Sequence, residues 1–295
     1  MVRAEQRFGG DWTQEKLMRV RKYLFAYTAA LKNTPFTLIY IDAFAGTGYR
    51  EIKAADENPG LMFPGQVEGD VEAFHAGSAR IALETEPPFA DYYFIEQDAQ
   101  KCRELRTLKR DFPEKASSIH ILNEDANTAI ERICNFCLQS RNVRGVLFLD
   151  PFGMNVPWRT IETVARTKAI DMWYLFPLGV GANRLLRRDG NIPLGWQKRL
   201  DDIFGEPDWR DIFYKTEITP SLFGNEEIVT KAGSFKQIAD YLVTRLQSVF
   251  PGVVDKPLPL YNSRNNPLYL LCFAAGNERG APIAVKIAKH ILKGR

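Results

Sequence analysis

The feature that most constrains this chain is a series of short apolar runs with helical or loop material between them. Residues 36–44 (FTLIYIDAF), 92–96 (YYFIE), 119–123 (IHILN), 145–150 (GVLFLD) and 172–177 (MWYLFP) are rich in Ile, Leu, Val, Tyr or Phe and barely alternate with polar residues. Continuous apolar runs of this length suit strands buried on both faces of a parallel sheet. Strands alternating with helices imply βαβ units, and such crossovers are right-handed in nearly all cases. The expected class is α/β, a three-layer Rossmann-like sheet that is mostly parallel.

The remaining periodicity fills in the helices. Residues 11–32 read as an amphipathic helix with Asp11 as cap and Gln14 reaching back. Leu17, Val20, Leu24, Tyr27 and Leu31 recur at helical spacing and form one apolar face. Glu15, Lys16, Arg19 and Lys22 lie largely off it. Residues 181–213 look like short helices rich in Arg, Lys and Trp. A clear helix spans 234–250, with Ser234 and Gln237 as a capping box. Two apolar stretches, 257–261 and 267–275, flank the turn-rich SRNN and read as an antiparallel pair closing the sheet, before a last helix over 282–292. Residues 49–76 show no period. A structureless loop of that length is usually functional or disordered, and it stands where an active-site lid could sit.

At 295 residues the chain allows one or two domains. The strand series runs from about residue 36 to the tail, so the expectation is one Rossmann-like domain over 1–295. Its additions are the N-terminal helix (11–32), a loop insertion (49–76) and a helical insertion (181–232). Hydrophobic residues at 45% and charged residues at 25% are ordinary globular values and exclude collagen-like and disordered classes. Four cysteines make no disulfide framework. No apolar run is long enough to span a membrane, and the N-terminal MVRAEQRFGGDWTQEK lacks an apolar signal region. A cytoplasmic protein with no membrane partner is therefore expected.

Four positions carry candidate chemistry. DAFAGTG, residues 42–48, follows the first strand, and its glycines let the backbone turn sharply and approach a ligand closely. It lacks the third glycine of the dinucleotide fingerprint, and a turn with no ligand is the alternative. Glu96 ends the second strand, where an acid can bond a ribose diol, because the ligand crevice lies outside the carboxyl ends of the strands. Asp125, beyond the third strand, could accept from an adenine amino group or simply cap a helix. Asp150, Pro151, Phe152 and Gly153 leave the most apolar strand. There the Asp150 carboxylate and the Pro151 carbonyl can accept two hydrogen bonds from an exocyclic amine while Phe152 stacks on a base. An ordinary strand exit is the alternative.

The ordered set resembles class I S-adenosylmethionine-dependent methyltransferases, and more closely the three-Cys-motif partner family. The phrases that carry the likeness are YIDAFAGTG, GSARIAL from Gly77-Ser78, FIEQD, LFLDPFGMNVPW, FPLG and the tail LYLLCFAAGN, covering nearly the whole chain. The family name refers to a neighbouring protein with three cysteines, so this chain's own cysteines are not that motif. The resemblance implies a seven-stranded sheet, parallel except for one strand, with helices on both faces. It implies S-adenosylmethionine as cofactor, with Asp42, Gly46, Gly48, Glu96 and Asp125 as cofactor-side residues and Phe44 and Ala126 beside them. DPFG is similar to the D-P-P-Y signature of amino-methyltransferases. It departs by placing Phe152 at the second proline and Gly153 at the aromatic.

The expected chemistry is direct methyl transfer to an amine held by Asp150 and Pro151, most simply on a nucleic-acid base. Basic residues gather in three places. Arg184, Arg187, Arg188, Lys198 and Arg199 surround Trp196, Lys286, Lys289 and Lys293 mark the last helix, and Lys16, Arg19, Arg21 and Lys22 mark the first. Basic residues interleaved with aromatics suit a nucleic-acid groove, whereas solvated faces are the plain alternative. The near balance of 39 basic against 36 acidic residues decides neither. Trp158 reads as a core residue or a stacking platform. Cys134 and Cys137 share one helical face and read as buried thiols, and no metal site is expected. Two further functions remain open: a non-catalytic cofactor-binding partner of a three-Cys-motif protein, and a nucleotide-binding oxidoreductase. His75, within the 49–76 loop, is the one histidine that stands out.

Overall fold

A computed structural model describes residues 11–46, 77–140, 142–151, 153–221, 224–262 and 264–294. Gly48, Phe152, His75 and the 49–76 loop lie outside them. In chain order the first half holds α1 (Asp11–Leu31), β1 (Thr37–Asp42), α2 (residues 77–83), β2 (Asp91–Ile95), α3 (Ala99–Leu105), α4 (Leu108–Asp111), β3 (Ile119–Leu122), α5 (Ala126–Gln139) and β4 (Val143–Leu149). The second half holds α6 (Trp158–Arg166), β5 (Ile170–Phe176), a π-turn at Leu178–Ala182, α7 (Asn183–Leu185), α8 (Leu194–Phe204), α9 (Trp209–Phe213), β6 (Tyr214–Ser221) and β7 (Gly224–Lys231). It closes with α10 (Phe235–Val249), β8 (Gly252–Val253), β9 (Leu258–Tyr261), β10 (Pro267–Ala275) and α11 (Ala281–Lys293).

The five apolar runs form the five parallel strands, in spatial order β3-β2-β1-β4-β5. Next to β5 lies β10, antiparallel to it, with β8 and β9 both pairing to the far side of β10. The late antiparallel pair is therefore as expected, but among the described residues the sheet has eight strands rather than seven, because β9 and the two-residue β8 share one edge of β10. Strand side chains divide between two cores. Ile39 and Ile41 pack with α5, α6, α8 and α10, whereas Leu38 and Tyr40 pack with α1, α2 and α11. That division makes the three layers, since successive strand residues face opposite sides.

The capping box at Ser234 forms as expected and starts α10. Cys134 and Cys137 are buried in α5. The helical insertion needs correction: its second half is the antiparallel pair β6–β7, in register from Tyr214↔Lys231 to Ser221↔Gly224. Trp158 is a core residue at the start of α6, under the Arg245 guanidinium. No helix among the described residues is long and apolar enough to cross a membrane.

The first helix also departs from expectation. Val20, Leu24 and Tyr27 are buried, but so are Lys16 and Arg19. Arg19 donates to the Ile291 carbonyl in the last turn of α11, where helix carbonyls lack internal partners. Tyr23 donates to Asp171 Oδ2 at 2.7 Å, and Asp171 Oδ1 accepts from the Gly276 N–H at 2.9 Å. These bonds lock α1 onto β5 and the turn after β10.

Candidate functional site

The strand order reverses between β1 and β4. From β1 the chain steps outward to β2 and β3, then returns to the other side of β1 as β4. In open α/β sheets the ligand crevice lies outside the carboxyl ends at such a switch point. Asp42 is the last residue of β1 and Asp150 follows β4 directly, so two acids flank the reversal. The turn after β1 leans on both neighbours: the Ala43 N–H donates to the Phe148 carbonyl at 3.1 Å and the Ala45 N–H to the Ile95 carbonyl at 2.9 Å.

Gly46 closes this described part of the turn against Glu96. A Cβ placed on Gly46 would lie 2.5 Å from Glu96 Oε2 and 2.9 Å from its carboxyl carbon. Glycine therefore lets the turn and the Glu96 side chain approach closely. A Gly46→Val protein is expected to push the Glu96 carboxylate out of place. The check is ligand calorimetry beside a thermal melt: loss of ligand binding with little change in melting marks a site effect. Glu96 Oε1 accepts from the Asp98 N–H at 2.6 Å. Burial raises the Glu96 pKa above the usual carboxylate range, with the Asp98 N–H opposing. Asn123 ties the end of β3 to the same place, donating to the Glu96 and Gln97 carbonyls.

Asp42 is fully buried. Its Oδ2 accepts from the Ser78 hydroxyl at 2.7 Å and, at 3.5 Å, from the Tyr40 hydroxyl. Its Oδ1 is buried with no hydrogen-bond partner among the described residues. Burial pushes the Asp42 pKa up to about 7; Ser78 opposes the rise, and the nearby Asp150 charge adds to it. A buried acceptor with no partner among the described residues, beside a glycine turn closed by the Glu96 side chain, fits a ligand bearing a hydrogen-bond donor or positive charge.

Asp125 stands where expected but is a helix cap: its Oδ1 accepts from the Thr128 N–H at 3.0 Å and the Thr128 hydroxyl at 3.2 Å. Ala126 is buried behind it, and Phe44 is half-buried on the turn. At the acceptor end, Pro151 is buried and Gly153 has φ +66°. L side chains rarely adopt that conformation, which accounts for glycine where the D-P-P-Y signature has an aromatic.

The sequence reading missed Lys16. Its Nζ lies 2.8 Å from Asp150 Oδ2, with Lys16 2% and Asp150 7% exposed. Trp12 covers the ammonium at 5.0 Å and stacks on Tyr269 at 5.2 Å. Burial lowers the Lys16 pKa, with Asp150 and then Asp42 opposing. The available signal was spacing: Lys16 stands four residues before Val20 and seven before Tyr23, on the buried stripe of α1. The structure thus brings Lys16, Asp150 and Asp42 together and sets Glu96 against the Gly46 turn, whereas Asp125 caps α5.

No family model matches the chain, and no curated protein matches it. Among solved structures it is similar to a Legionella pneumophila str. Philadelphia 1 protein of the DUF519 family model, at 11% identity and TM-score 0.47, covering 96% of this chain and 92% of that one. It is similar to magnesium protoporphyrin IX methyltransferase from Synechocystis PCC 6803 with bound SAM, at 11% identity and TM-score 0.30, covering 74% and 80%. It is also similar to spermidine synthase in complex with the transition state analogue AdoDATO, at 9% identity and TM-score 0.35, covering 97% and 66%.

Proposed function

We propose that the crevice at the carboxyl ends of β1, β2 and β4 binds S-adenosylmethionine, and that the chain transfers a methyl group to an amine, with a nucleic-acid base as the acceptor class. The observation that carries this reading is the pair of acids, Asp42 and Asp150, on either side of the switch point, with Glu96 one strand away. When bound, the cofactor supplies an electrophilic methyl on a sulfonium. Glu96 takes the ribose diol. The Gly46 turn gives the backbone close access, and Asp42 Oδ1, which has no hydrogen-bond partner among the described residues, accepts a donor of the cofactor. Asp125, with Oδ1 engaged in capping, keeps Oδ2 for an adenine amino group. Asp150 and the Pro151 carbonyl orient the acceptor. Orientation of this kind contributes up to about 7–11 kcal/mol to such a reaction.

The nucleic-acid part of the reading rests on exposed Arg188, Lys198 and Arg199, carried by the insertion after β5 at the carboxyl edge of the sheet; Arg187 beside them pairs with Asp189 at 2.9 Å. Lys289 is a weaker candidate, since it pairs with Asp255 at 2.8 Å, and Lys16 and Arg19 are buried rather than superficial. Phosphate contacts would show as a steep loss of affinity with salt.

Calorimetry with S-adenosylmethionine against NAD tests the cofactor. Saturable binding of the former and none of the latter is expected; no binding of S-adenosylmethionine overturns the proposal. A second reading is favoured by one observation, the Lys16 ammonium already seated on Asp150. In it the chain binds the cofactor without transfer and assembles with a three-Cys-motif protein. Cofactor binding with no methyl transfer to RNA, DNA or the chain itself selects this second reading.

A further inference from the structure

The acceptor end of the site already holds an amine, and that amine is the chain's own. Lys16 Nζ sits at 2.8 Å from Asp150 Oδ2, the atom assigned above to grip an acceptor amine. The lysine is fixed from both sides. Ahead of it, Trp12 lies over Nζ and stacks on Tyr269. Behind it, Arg19 bonds the Ile291 carbonyl, Tyr23 bonds Asp171, and Val20 and Leu24 are buried. Swinging this part of α1 away would strip those contacts and leave a buried carboxylate unpaired, an arrangement that proteins avoid. An external amine at Asp150 Oδ2 would have to displace Lys16.

We propose that Lys16 is a self-methylation site, the amine presented by Asp150 to the methyl donor being its own Nζ. This rests on the reading that the crevice binds S-adenosylmethionine. Transfer requires the neutral amine, so the Lys16 ammonium first yields a proton to Asp150 at 2.8 Å, a step that burial of the lysine favours and the Asp150 and Asp42 charges oppose. The Nζ lone pair forms the new N–CH3 bond, the S–CH3 bonding pair stays on sulfur, and S-adenosylhomocysteine leaves as a neutral thioether. The proton given up by Nζ passes to Asp150 and from there to solvent. N-methyl-lysine keeps an N–H for Asp150, so the contact that seats Lys16 survives the first transfer.

Peptide mass mapping of the full chain tests this, both as isolated from cells and after incubation with S-adenosylmethionine carrying a deuterated methyl. Calorimetry on the same sample reports donor binding. The expected result is one methyl on the peptide containing Lys16, approaching one per chain, and none at that position in Lys16→Met. An Asp150→Asn protein is expected to gain it about a hundred-fold more slowly. Donor binding with no methyl on Lys16, or methyl only on surface lysines, overturns the proposal and leaves the cofactor reading standing. No donor binding overturns the cofactor reading itself. Faster transfer to added nucleic acid by Lys16→Met, with Lys16 unmodified in the parent, also overturns it and makes Lys16 an occluding residue.

Discussion

A Lys16→Met chain is expected to be less stable than the parent by about 3–5 kcal/mol, because truncating one partner of a buried ion pair strands the other charge. The stranded group is Asp150, 7% exposed and held at 2.8 Å by the ammonium. Asp150→Asn is expected to cost a similar amount, since it leaves a buried ammonium facing a neutral amide. The double variant, Lys16→Met with Asp150→Asn, is expected to recover most of the loss, because neutral groups of similar volume are tolerated where a lone charge is not. Urea denaturation of the four proteins measures the coupling directly. A coupling within about 0.5 kcal/mol of zero, the scatter seen for independent sites, would show that the pair contributes nothing specific. The coupling is also expected to survive added salt, since buried pairs are screened far less than surface ones. That separates it from the exposed Lys168–Glu278 and Lys236–Asp240 pairs.

The same pair shows where sequence reasoning stops. β1 to β5 were legible because strands buried on both faces must be continuously apolar, and each run maps onto its strand within a few residues. The acids at 42, 96 and 150 were legible because the carboxyl ends of those strands define the crevice. Lys16 was not, since a lysine on an amphipathic helix is ordinarily solvated and its partner lies 134 positions away. The β6–β7 pair escaped for the opposite reason. Ile218 and Val229 are exposed, so the pair has no continuous apolar run to announce it. Both strands are mostly polar and Thr- or Glu-rich, as in KTEIT and EEIVT. Asp125 was ambiguous by nature, because the residue that caps a helix after a strand and the residue that meets an adenine occupy one position.

The stability of the parent chain is expected to fall as pH rises from about 4 to about 7, and Asp42→Asn is expected to remove much of that fall. The unfolded Asp42 carboxyl ionises near 3.8, whereas burial holds the folded one to about 7. Between those values the native state binds the extra proton, so stability decreases with rising pH. Above about 7 the full cost is present, and a shift of about three pH units corresponds to roughly 4 kcal/mol. Asp171, raised to about 6 by burial, adds a fall in the same direction over a narrower range. The difference between variant and parent isolates Asp42. It is expected to be smallest near pH 4 and to favour the variant increasingly up to neutrality, whatever the constant cost of an amide beside Ser78. Denaturation midpoints of both proteins across this range provide the check, and parallel curves would rule out an unusual Asp42. S-adenosylmethionine is expected to steepen the contrast. A cation bound at the crevice favours the ionised carboxylate, so ligand stabilisation of the parent should grow with pH while that of Asp42→Asn stays flat. Equal stabilisation of the two proteins at every pH would remove Asp42 from the cofactor site.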